Sequence, residues 1–455
     1  MEIKNIKNIY FIGIGGVGMS SLARIVQNRD CRVSGSDIME NGYIQDLRKT
    51  GISINIGHCS NNINKDIQLI VYSSAIPPDN VELKRAGELN IPTLKRANFL
   101  SLIFNNKKGI AISGSHGKTT ATAILAYIMK SADYDITTMI GGKMFNTNSN
   151  AYIGKSEWMI TEADESDCGF TKLHPFISVI TNIDDDHLNF YKTMENEQKA
   201  FLSFINNTQE SGYLIVNADN PLALSTSKEA RCNVFKYSLT NGDICVKNIY
   251  TKNPGHIFDV YVKDKSLGTF TLNIPGIHNI SNALPAIFIA HSLGIDTRII
   301  KRSLESFKGV ERRFTIVGRE KGITIVDDYA HHPEEIKATL SAASETNNSR
   351  IVALFQPHRY TRVKGLFGKF TTAFEKANKV FITDIYSAGE KPIDGITAAE
   401  LGRAINKYRD CTYVRKDNGL INTVMEELKE GDVVITLGAG DIWKTGIDLL
   451  CKLKQ

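Results

Sequence analysis

Short apolar runs alternate with longer amphipathic stretches along most of this chain. Such runs lie at residues 9–12, 31–33, 69–72, 109–112, 158–160, 177–180, 323–326, 351–355, 380–382 and 433–437. Runs of this length separated by helical stretches predict strands that alternate with helices, an order that builds parallel sheets covered on both faces. The hydrophobic pattern therefore predicts an α/β protein.

The same pattern divides the chain into three segments. A polar stretch at residues 105–108 predicts a linker after the first segment, and the strand–helix alternation restarts at residue 323. Within the middle segment, residues 233–275 contain short alternating runs such as 258–262, which predict an antiparallel addition to the sheet. We expect three α/β domains, at residues 1–107, 108–312 and 313–455.

Composition narrows the class of protein. The 455 residues are 42% hydrophobic and 23% charged, and a net charge of +5 is spread along the chain, which suits small anionic ligands better than nucleic acid. The seven cysteines contain no Cys-x-x-Cys pair, so we expect free thiols in a reducing compartment. There is no signal-peptide pattern and no apolar run near the roughly 20 residues that span a membrane. We expect a cytoplasmic protein without membrane insertion.

The first glycine motif, GIGGVG, occupies residues 13–18 between a predicted strand and a predicted helix. Glycine lets the backbone approach a diphosphate, whose charge the helix N-terminus favours. Asp37 ends the next predicted strand, and this spacing taken alone favours NAD, with Asp37 on the ribose. The alternative is a turn that only packs helix against strand. The motif predicts a diphosphate site but leaves its ligand open.

The second glycine motif, GSHGKTT, occupies residues 114–120 after the predicted strand 109–112 and before a helical run. Two residues separate Gly114 from Gly117, whereas the usual phosphate-binding loop has four at this point. Lys118 would contact the β- and γ-phosphates of a nucleotide, and the Thr119 hydroxyl would bind Mg²⁺. A helix start with a threonine cap is the alternative, but the position after a buried strand favours the nucleotide site.

Two acidic motifs follow the next predicted strands. EADESD occupies residues 162–167, and TNIDDDH occupies residues 181–187. Each motif alone is typical of a solvated loop. Ligands of open α/β sheets bind at the carboxyl ends of the strands, so three strands would bring Lys118, Glu162 and His187 to one edge. Together the motifs predict a metal–nucleotide site.

Four further motifs carry candidate polar side chains: GIHNISN at 276–282, ERRF at 311–314, DDYAHHP at 327–333 and QPHRYTR at 356–362. An asparagine-rich helix start is the alternative interpretation of the first motif, and a surface basic pair is the alternative for the second. His331 and His332 could be zinc ligands, but adjacent side chains seldom face one centre and no cysteine lies nearby.

These motifs, in this order, are similar to those of the Mur ligases, and the resemblance runs from Ile9 to about Trp443. The family's ATP loop has the shortened spacing seen at residues 114–120. The resemblance implies a Rossmann-like N-terminal domain, a central P-loop ATPase-like α/β domain with a small antiparallel elaboration, and a Rossmann-like C-terminal domain. It is strongest to the branch that attaches L-alanine to UDP-N-acetylmuramate.

The resemblance also implies site residues, with ATP and Mg²⁺ as cofactors and residues 13–18 reassigned from NAD to UDP. The implied UDP-sugar contacts are Gly13, Gly15, Gly16, Gly18, Ser36, Asp37, His58 and Ser73. The implied ATP contacts are Gly114, Ser115, His116, Gly117, Lys118, Thr119, Thr120, His278, Asn282, Arg313 and Asp328. The implied metal ligands are Thr119, Glu162 and His187, and the implied catalytic residues are Lys118, His187, Arg313 and Asp328. His358, Arg359 and Arg362 would bind the muramyl carboxylate or the incoming alanine.

The implied reaction is amide formation through an acyl phosphate, because a carboxylate must be activated before an amine can attack it. Two alternatives stay open. One is the family's recycling ligase, which attaches a tripeptide to the same sugar nucleotide; its counterpart of EADESD contains tyrosine, so Ser166 favours the alanine branch. The other is a non-catalytic nucleotide-sensing module, which leaves Glu162 and His187 unexplained. Asn189 stands where the family often has aspartate, which makes an acidic role at that position doubtful.

Overall fold

The computed structural model describes residues 5–29, 31–346, 349–417 and 419–455, with the side chains of Asn189 and Thr346 outside that description. These residues form two compact units. The first contains the described residues of 1–184, 193–245 and 283–303, and the second contains those of 185–192, 246–282 and 304–455.

The first sheet of the first unit is entirely parallel, in the order β3-β2-β1-β4-β5. Its strands are β1 (Asn8–Ile12), β2 (Arg32–Asp37), β3 (Ser53–Ile56), β4 (Leu69–Tyr72) and β5 (Thr93–Lys95), and its helices are α1 (Val17–Gln27), α2 (Gly42–Lys49), α3 (Val81–Glu88) and α4 (Arg96–Phe104). The chain adds β2 and β3 on one side of β1 and then β4 on the other. This reversal creates the crevice where doubly wound sheets bind ligands.

The second sheet of this unit contains β6 (Lys108–Ser113), β7 (Thr137–Met144), β8 (Ser149–Tyr152), β9 (Trp158–Glu162), β10 (Ile177–Ile180), β11 (Tyr213–Asn217) and β12 (Asn233–Ser238). Their order is β12-β11-β10-β6-β9-β7-β8. The helices in this part of the chain are α5 (Lys118–Ser131), α6 (Leu188–Tyr191), α7 (Met194–Asn206) and α8 (Pro221–Thr226), and later α9 (Ile277–Ser292) and α10 (Thr297–Ser306). β6 is parallel to both neighbours, β9 and β10, so all three strands end at one edge.

The predicted antiparallel addition is correct only for its second half. β13 (Ile244–Lys252) leads to β14 (Gly255–Val262) and β15 (Lys265–Leu272), and β14 and β15 form an antiparallel hairpin. Lys263 and Asp264 form its two-residue turn with φ of 46° and 65°, the backbone that such hairpins require. β12, by contrast, is parallel to β11, because the connection through α8 is long enough for a crossover.

The sheet of the second unit has the order β16-β17-β21-β18-β19-β20. Its strands are β16 (Thr315–Glu320), β17 (Ile323–Asp328), β18 (Ile351–Phe355), β19 (Lys379–Ile382), β20 (Cys411–Tyr413) and β21 (Val433–Leu437). Its helices are α11 (Pro333–Thr346), α12 (Tyr360–Thr371), α13 (Ala398–Ile405), α14 (Gly419–Glu427) and α15 (Ile442–Leu453). Only the β16–β17 pair is antiparallel.

Successive residues of the central strand β18 pack into different cores. Ala353 and Phe355 belong to the cluster on one face of the sheet, and Val352 and Leu354 belong to the cluster on the other. A strand covered on both faces reads as a continuous apolar run, as this one does. Within the described ranges, no helix is both long enough and apolar enough to cross a membrane.

Candidate functional site

The loop at residues 114–120 joins β6 to α5 and depends on two glycines. Gly114 has a φ of 132°, and a Cβ atom there would lie 2.1 Å from Oγ1 of Thr181. Gly117 has a φ of 83° and caps the 14-residue helix α5, whose first turn contains the buried Thr120. The backbone N–H groups at this helix start form a site suited to phosphate.

The loop that follows β10 holds this glycine loop in place. The Thr181 hydroxyl donates to the carbonyl oxygen of His116 at 2.6 Å, and Oδ1 of Asn182 accepts from the His116 N–H at 2.8 Å. The backbone N–H of Asp184 donates to Oγ of Ser115 at 2.8 Å. Sequence reasoning grouped residues 181–187 as an acidic motif and missed these bracing contacts, although Asn182 stood within the motif.

Lys118 points to the interior of the loop and pairs with an acidic residue. Its Nζ donates to the carbonyl oxygens of Gly114 and Ser115 and lies 2.8 Å from both carboxylate oxygens of the fully buried Glu165. Burial opposes the charge on Lys118, but Glu165 and Asp164 outweigh it and raise its pKa. The ammonium group is therefore fixed as a cation. Glu165 lies within EADESD but was not singled out from the sequence.

Thr119 and Glu162 are brought together, as predicted, because β6 and β9 are neighbours. Oγ1 of Thr119 donates to Oε2 of Glu162 at 3.2 Å, and the other carboxylate oxygen accepts from the Gly141 N–H. A hydroxyl and a carboxylate are the hard oxygen donors that Mg²⁺ prefers, with phosphate oxygens and water completing its shell. The donor set of this pair fits magnesium.

The glycine loop at residues 13–18 is braced by the end of β2. Oδ2 of Asp37 accepts from the Gly15 N–H at 2.8 Å, and Oδ1 accepts from the Ile38 N–H at 2.8 Å. A Cβ atom at Gly15 would lie 2.7 Å from Nδ2 of Asn41 and 2.9 Å from the Asp37 carboxylate. Asp37, Gly15 and the start of α2 therefore form one compact turn.

The other predicted UDP-sugar residues lie at the carboxyl edge of the same sheet. Gly13 has a φ of 79°, and a Cβ atom there would lie 3.1 Å from Cβ of Ser73, which follows β4. Gly16 caps α1. Ser36 is buried and His58 is partly buried, and the two side chains contact each other at 3.1 Å. The predicted UDP-sugar residues thus come from loops around one crevice.

Arg96 lies between the glycine loop at residues 13–18 and the acidic loop after β9, and it was not predicted. A Cβ atom at Gly18 would lie 3.1 Å from Nη1 of Arg96, and Nη2 donates to Oδ2 of Asp164 at 2.9 Å. Burial alone would raise the pKa of Asp164, but Arg96 and Lys118 hold it well below its usual range. Arg96 lies at the start of α4 in KRANFL, where a basic residue before a helix gave no distinguishing signal.

In the second unit, Asp328 braces the turn before β16. Its Oδ2 accepts from the Phe314 N–H at 2.7 Å and its Oδ1 accepts from the Ala330 N–H at 2.8 Å. Arg312 and Phe314 both have positive φ, at 61° and 49°. Burial raises the pKa of Asp328 to about 6, although Arg313 acts against this. The predicted catalytic Asp328 thus holds the backbone directly after Arg313.

Arg313 and His278 lie in one electrostatic neighbourhood of this unit. Nη1 of Arg313 lies 3.7 Å from Oε1 of Glu335. Burial, followed by the charges of Arg313 and His256, lowers the pKa of His278 to about 4, so the imidazole is neutral at neutral pH. The buried Asn282, the predicted adenine contact, donates through Nδ2 to Oδ1 of a neighbouring asparagine on α9 at 3.2 Å.

His358, Arg359 and Arg362 cluster at the start of α12. Arg362 donates to Oδ1 of Asp186 from Nε at 2.9 Å and from Nη2 at 2.7 Å, and its Nη1 lies 3.1 Å from Nδ1 of His358. The His358 ring stacks on Tyr386 at 5.6 Å. Arg359 has a φ of 66°, a strained value for a residue with a side chain, and such strain is typical of functional positions.

His358 and the neighbouring His331 are both neutral at neutral pH. Burial and Arg362 lower the pKa of His331 to about 4, and burial, His331 and Arg362 lower that of His358 to about 3. Their rings meet edge to face at 5.8 Å. Neutral imidazoles beside arginines can accept hydrogen bonds while the arginines hold a carboxylate.

Residues 185–187, the end of TNIDDDH, contact one another and other side chains of the second unit. Nε2 of His187 lies 3.5 Å from Oδ2 of Asp186. Asp185 contacts Nζ of Lys369 at 2.8 Å and Nε2 of His332 at 3.6 Å. Two acidic residues of this motif thus pair with basic side chains, and His187 lies beside one of them. The side chain of Asn189 is outside the described part of the chain.

Three consecutive stretches of the chain match known family descriptions. Residues 8–108 match the Mur ligase family catalytic domain, residues 112–290 match the Mur ligase middle domain, and residues 312–440 match the Mur ligase glutamate ligase domain. Seen from the sequence alone, the ordered motifs indicated this family, and that prediction is confirmed.

Full-length relatives agree with these matches. The chain is 44% identical over 444 residues to a UDP-N-acetylmuramate–L-alanine ligase from Clostridium novyi, with 97% of each chain covered. The solved structure of the UDP-N-acetylmuramate–alanine ligase from Thermotoga maritima matches with a TM-score of 0.84 and 29% identity, over 98% of this chain and 99% of that one. A murein peptide ligase from Psychrobacter arcticus has the same fold, with a TM-score of 0.74, 22% identity and 98% of each chain covered. The predicted fold class is confirmed.

Proposed function

The chain belongs to the Mur ligase family, and we propose that it joins L-alanine to the carboxylate of UDP-N-acetylmuramate at the expense of ATP, in the synthesis of peptidoglycan precursors in the cytoplasm. The observation that carries the proposal is the arrangement of Lys118, Thr119 and Glu162 at the shared edge of β6 and β9. Relatives that are 40–44% identical over nearly the whole chain bear the name of this activity.

The proposed division of labour follows the three segments. Residues 1–107 hold the UDP moiety through the glycine loop at 13–18 and the loops after β2, β3 and β4. Residues 108–312 hold ATP through the loop at 114–120, with Asn282 and His278 at the adenine. Residues 313–455 contribute Arg313 to the nucleotide, and His358, Arg359 and Arg362 to the muramyl carboxylate or to alanine.

The first chemical step activates the carboxylate. A carboxylate oxygen of the sugar nucleotide attacks the γ-phosphorus of ATP, the bond to the bridging oxygen breaks, and ADP leaves. Lys118 and Arg313 stabilise the negative charge that spreads over the transferring group. Lys118 must turn from Glu165 towards the phosphates, and the N–H groups at the start of α5 receive them.

The second step forms the amide. The amine of L-alanine attacks the acyl carbonyl carbon, a tetrahedral intermediate collapses, and inorganic phosphate leaves while the nitrogen loses a proton. Arg359 and Arg362 are suited to bind a carboxylate through their planar guanidinium groups. Asp186 fixes Arg362, so the cluster is organised before alanine arrives.

Magnesium fits this scheme as the ion that neutralises phosphate charge when bound. Thr119 and Glu162 would hold it, because their oxygens already meet at 3.2 Å. His187 is proposed as a further ligand or orienting group. The role of the chain is to present the Thr119 and Glu162 oxygens at the edge where Lys118 lies.

The acyl phosphate is the feature that separates a ligase from a nucleotide-sensing module. With ATP, Mg²⁺ and UDP-N-acetylmuramate but no alanine, hydroxylamine should trap a hydroxamate, and borohydride should reduce the activated carbonyl to an alcohol. Glu162→Gln should suppress both products, because it weakens the magnesium site. An enzyme that makes the alanyl amide but yields neither trapped product would contradict the acyl-phosphate route.

The choice of acceptor separates the alanine branch from the recycling ligase. ATP hydrolysis and amide formation are measured with L-alanine and, in parallel, with the muropeptide-type tripeptide at equal concentration. We expect turnover with alanine and almost none with the tripeptide. The opposite preference would assign the recycling activity, and nucleotide binding without any turnover would favour the sensing module.

A further inference from the structure

Glu82, on helix α3 of the first sheet, has a completely buried carboxylate. It lies in the first turn of α3, where Asn80 caps the helix by accepting from the Glu82 N–H at 2.9 Å. A buried ionised carboxylate is costly unless donors surround it. Neither the glycine motifs nor the family resemblance indicated a role for this residue.

Four donors from three parts of the chain converge on Glu82. Oε1 accepts from the Tyr10 hydroxyl at 3.1 Å, from Nδ2 of Asn62 at 2.7 Å and from the Cys59 N–H at 3.4 Å. Oε2 accepts from the Ser36 hydroxyl at 2.6 Å. A carboxyl group with this many donors acts only as an acceptor. Glu82 is therefore the acceptor at the centre of this network.

His58 joins this network through one ring nitrogen. Its Nδ1 lies 2.9 Å from Oε2 of Glu82 and 3.1 Å from Oγ of Ser36. Ser36 has a single proton, which the short bond to Glu82 uses, so both atoms present lone pairs to the imidazole. Nδ1 must carry a proton to satisfy them. The surroundings thus fix the tautomer of His58.

The other ring nitrogen of His58, Nε2, is available to bind a ligand. The side chain keeps 14% of its surface exposed, and Nε2 makes no hydrogen bond to any residue in the described ranges. In the neutral tautomer with its proton on Nδ1, which Glu82 selects, His58 presents a lone pair at Nε2. It follows β3 at the carboxyl edge of the sheet, where Ser36 also lies near the end of β2.

We propose that Glu82 is a positioning residue of the UDP-sugar site, which holds His58 so that Nε2 accepts a hydrogen bond from the uridine. This inference rests on the function proposed above and goes beyond it by naming the ligand chemistry. The uracil imide and the ribose hydroxyls are donors, whereas diphosphate oxygens at neutral pH only accept. A lone pair at Nε2 therefore selects the nucleoside end of the substrate.

The first test is a kinetic comparison of Glu82→Gln with the wild type. A glutamine amide can donate to Nδ1 and reverse the polarity at Nε2. We expect the KM for UDP-N-acetylmuramate to rise about tenfold, which corresponds to the loss of about one hydrogen bond, while kcat and the KM values for ATP and alanine stay unchanged. The control is Glu88→Gln on the same helix, whose side chain is 62% exposed and should change none of these values.

A double-mutant cycle separates positioning from a merely structural role. If Glu82 acts through His58, Glu82→Gln should add little to the loss that His58→Ala already causes. An equal loss in both backgrounds, or a parallel fall in all kinetic parameters and in Tm, would overturn the proposal. Failure of wild type to bind the UDP sugar would instead refute the proposed function.

A measurement on the wild type keeps the proposal testable if Glu82→Gln does not fold. Nitrogen-15 NMR should show His58 protonated at Nδ1, with its resonance assigned by its absence in His58→Ala. On addition of UDP, the Nε2 resonance should move as it accepts a bond, and N3-methyl-UDP or 2′-deoxy-UDP should identify the donor by a smaller shift. A proton on Nε2 in the free protein, or no shift with UDP, would contradict the assignment.

Discussion

At the scale of single residues, the loop at 114–120 depends on a buried ion pair. Lys118 and Glu165 lie 2.8 Å apart, and Glu165 is fully buried. Removing one partner of a buried pair leaves the other charge uncompensated, which costs about 3–5 kcal/mol. A bound phosphate would supply the missing negative charge, so the stability of this loop and the binding of nucleotide are coupled.

We therefore expect Glu165→Gln to lower the Tm of the ligand-free protein and to enlarge the rise in Tm that ATP produces. Thermal unfolding with and without ATP measures both effects. Glu157→Gln, at an exposed position before β9, is the control and should change neither. A variant as stable as the wild type, or with an unchanged ATP shift, would show that Glu165 does not hold Lys118 in solution.

At the scale of elements, the site is made where loops from neighbouring strands meet. The loop after β10 bonds to the loop after β6 through Thr181 and Asn182, and Gly114 leaves the space that this contact needs. The parallel order of the strands brings these loops to one edge. A residue larger than glycine would separate them.

Gly114→Ala should raise the KM for ATP by about tenfold or more, because Ala disfavours a φ of 132° and its Cβ would lie 2.1 Å from Thr181. Binding of UDP-N-acetylmuramate should survive. Gly87→Ala is the matched control: Gly87 is exposed on α3 with open space around its Cβ, so this change should be neutral or stabilise the helix by up to about 1 kcal/mol. An unchanged KM in Gly114→Ala would mean that the loop tolerates a side chain there.

At the scale of the whole molecule, the two proposed nucleotide sites are built on different sheets. The UDP-sugar residues follow β1 to β4, and the phosphate loop follows β6. A substitution at one site should therefore leave ligand binding at the other intact. This separation gives a test that activity alone cannot provide.

Lys118→Ala should lower activity by roughly 10³-fold or more, in line with other charged groups that act on phosphoryl transfer. At 100 times its Kd, UDP-N-acetylmuramate should still stabilise this variant by about 2.7 kcal/mol, measured by the shift in unfolding, while the shift from ATP is reduced. Lys130→Ala, at the exposed end of the same helix, is the control. Near-normal turnover in Lys118→Ala would remove Lys118 from the proposed mechanism.

Part of the order of strands and helices was readable from the sequence, because apolar runs of three to five residues report burial on both faces. The direction of β12 was predicted wrongly: it was expected to be antiparallel but is parallel to β11. Periodicity reports which faces of a strand are buried, but it carries no information about the direction of the neighbouring strand. That direction depended on the crossover through α8.

The candidate site, too, was only partly readable from the sequence. By itself, the sequence determined the glycine loops, because glycine permits the positive φ of Gly13, Gly114 and Gly117 and the close contacts at Gly15, and it determined the acidic residues that follow the strands. The tertiary structure decided which side chains face one another: Glu165 on Lys118, Arg96 between Gly18 and Asp164, and Glu82 beneath His58. Each of these contacts joins positions 24 to 78 residues apart, and a linear pattern records the type of each residue but not the distance across the folded chain.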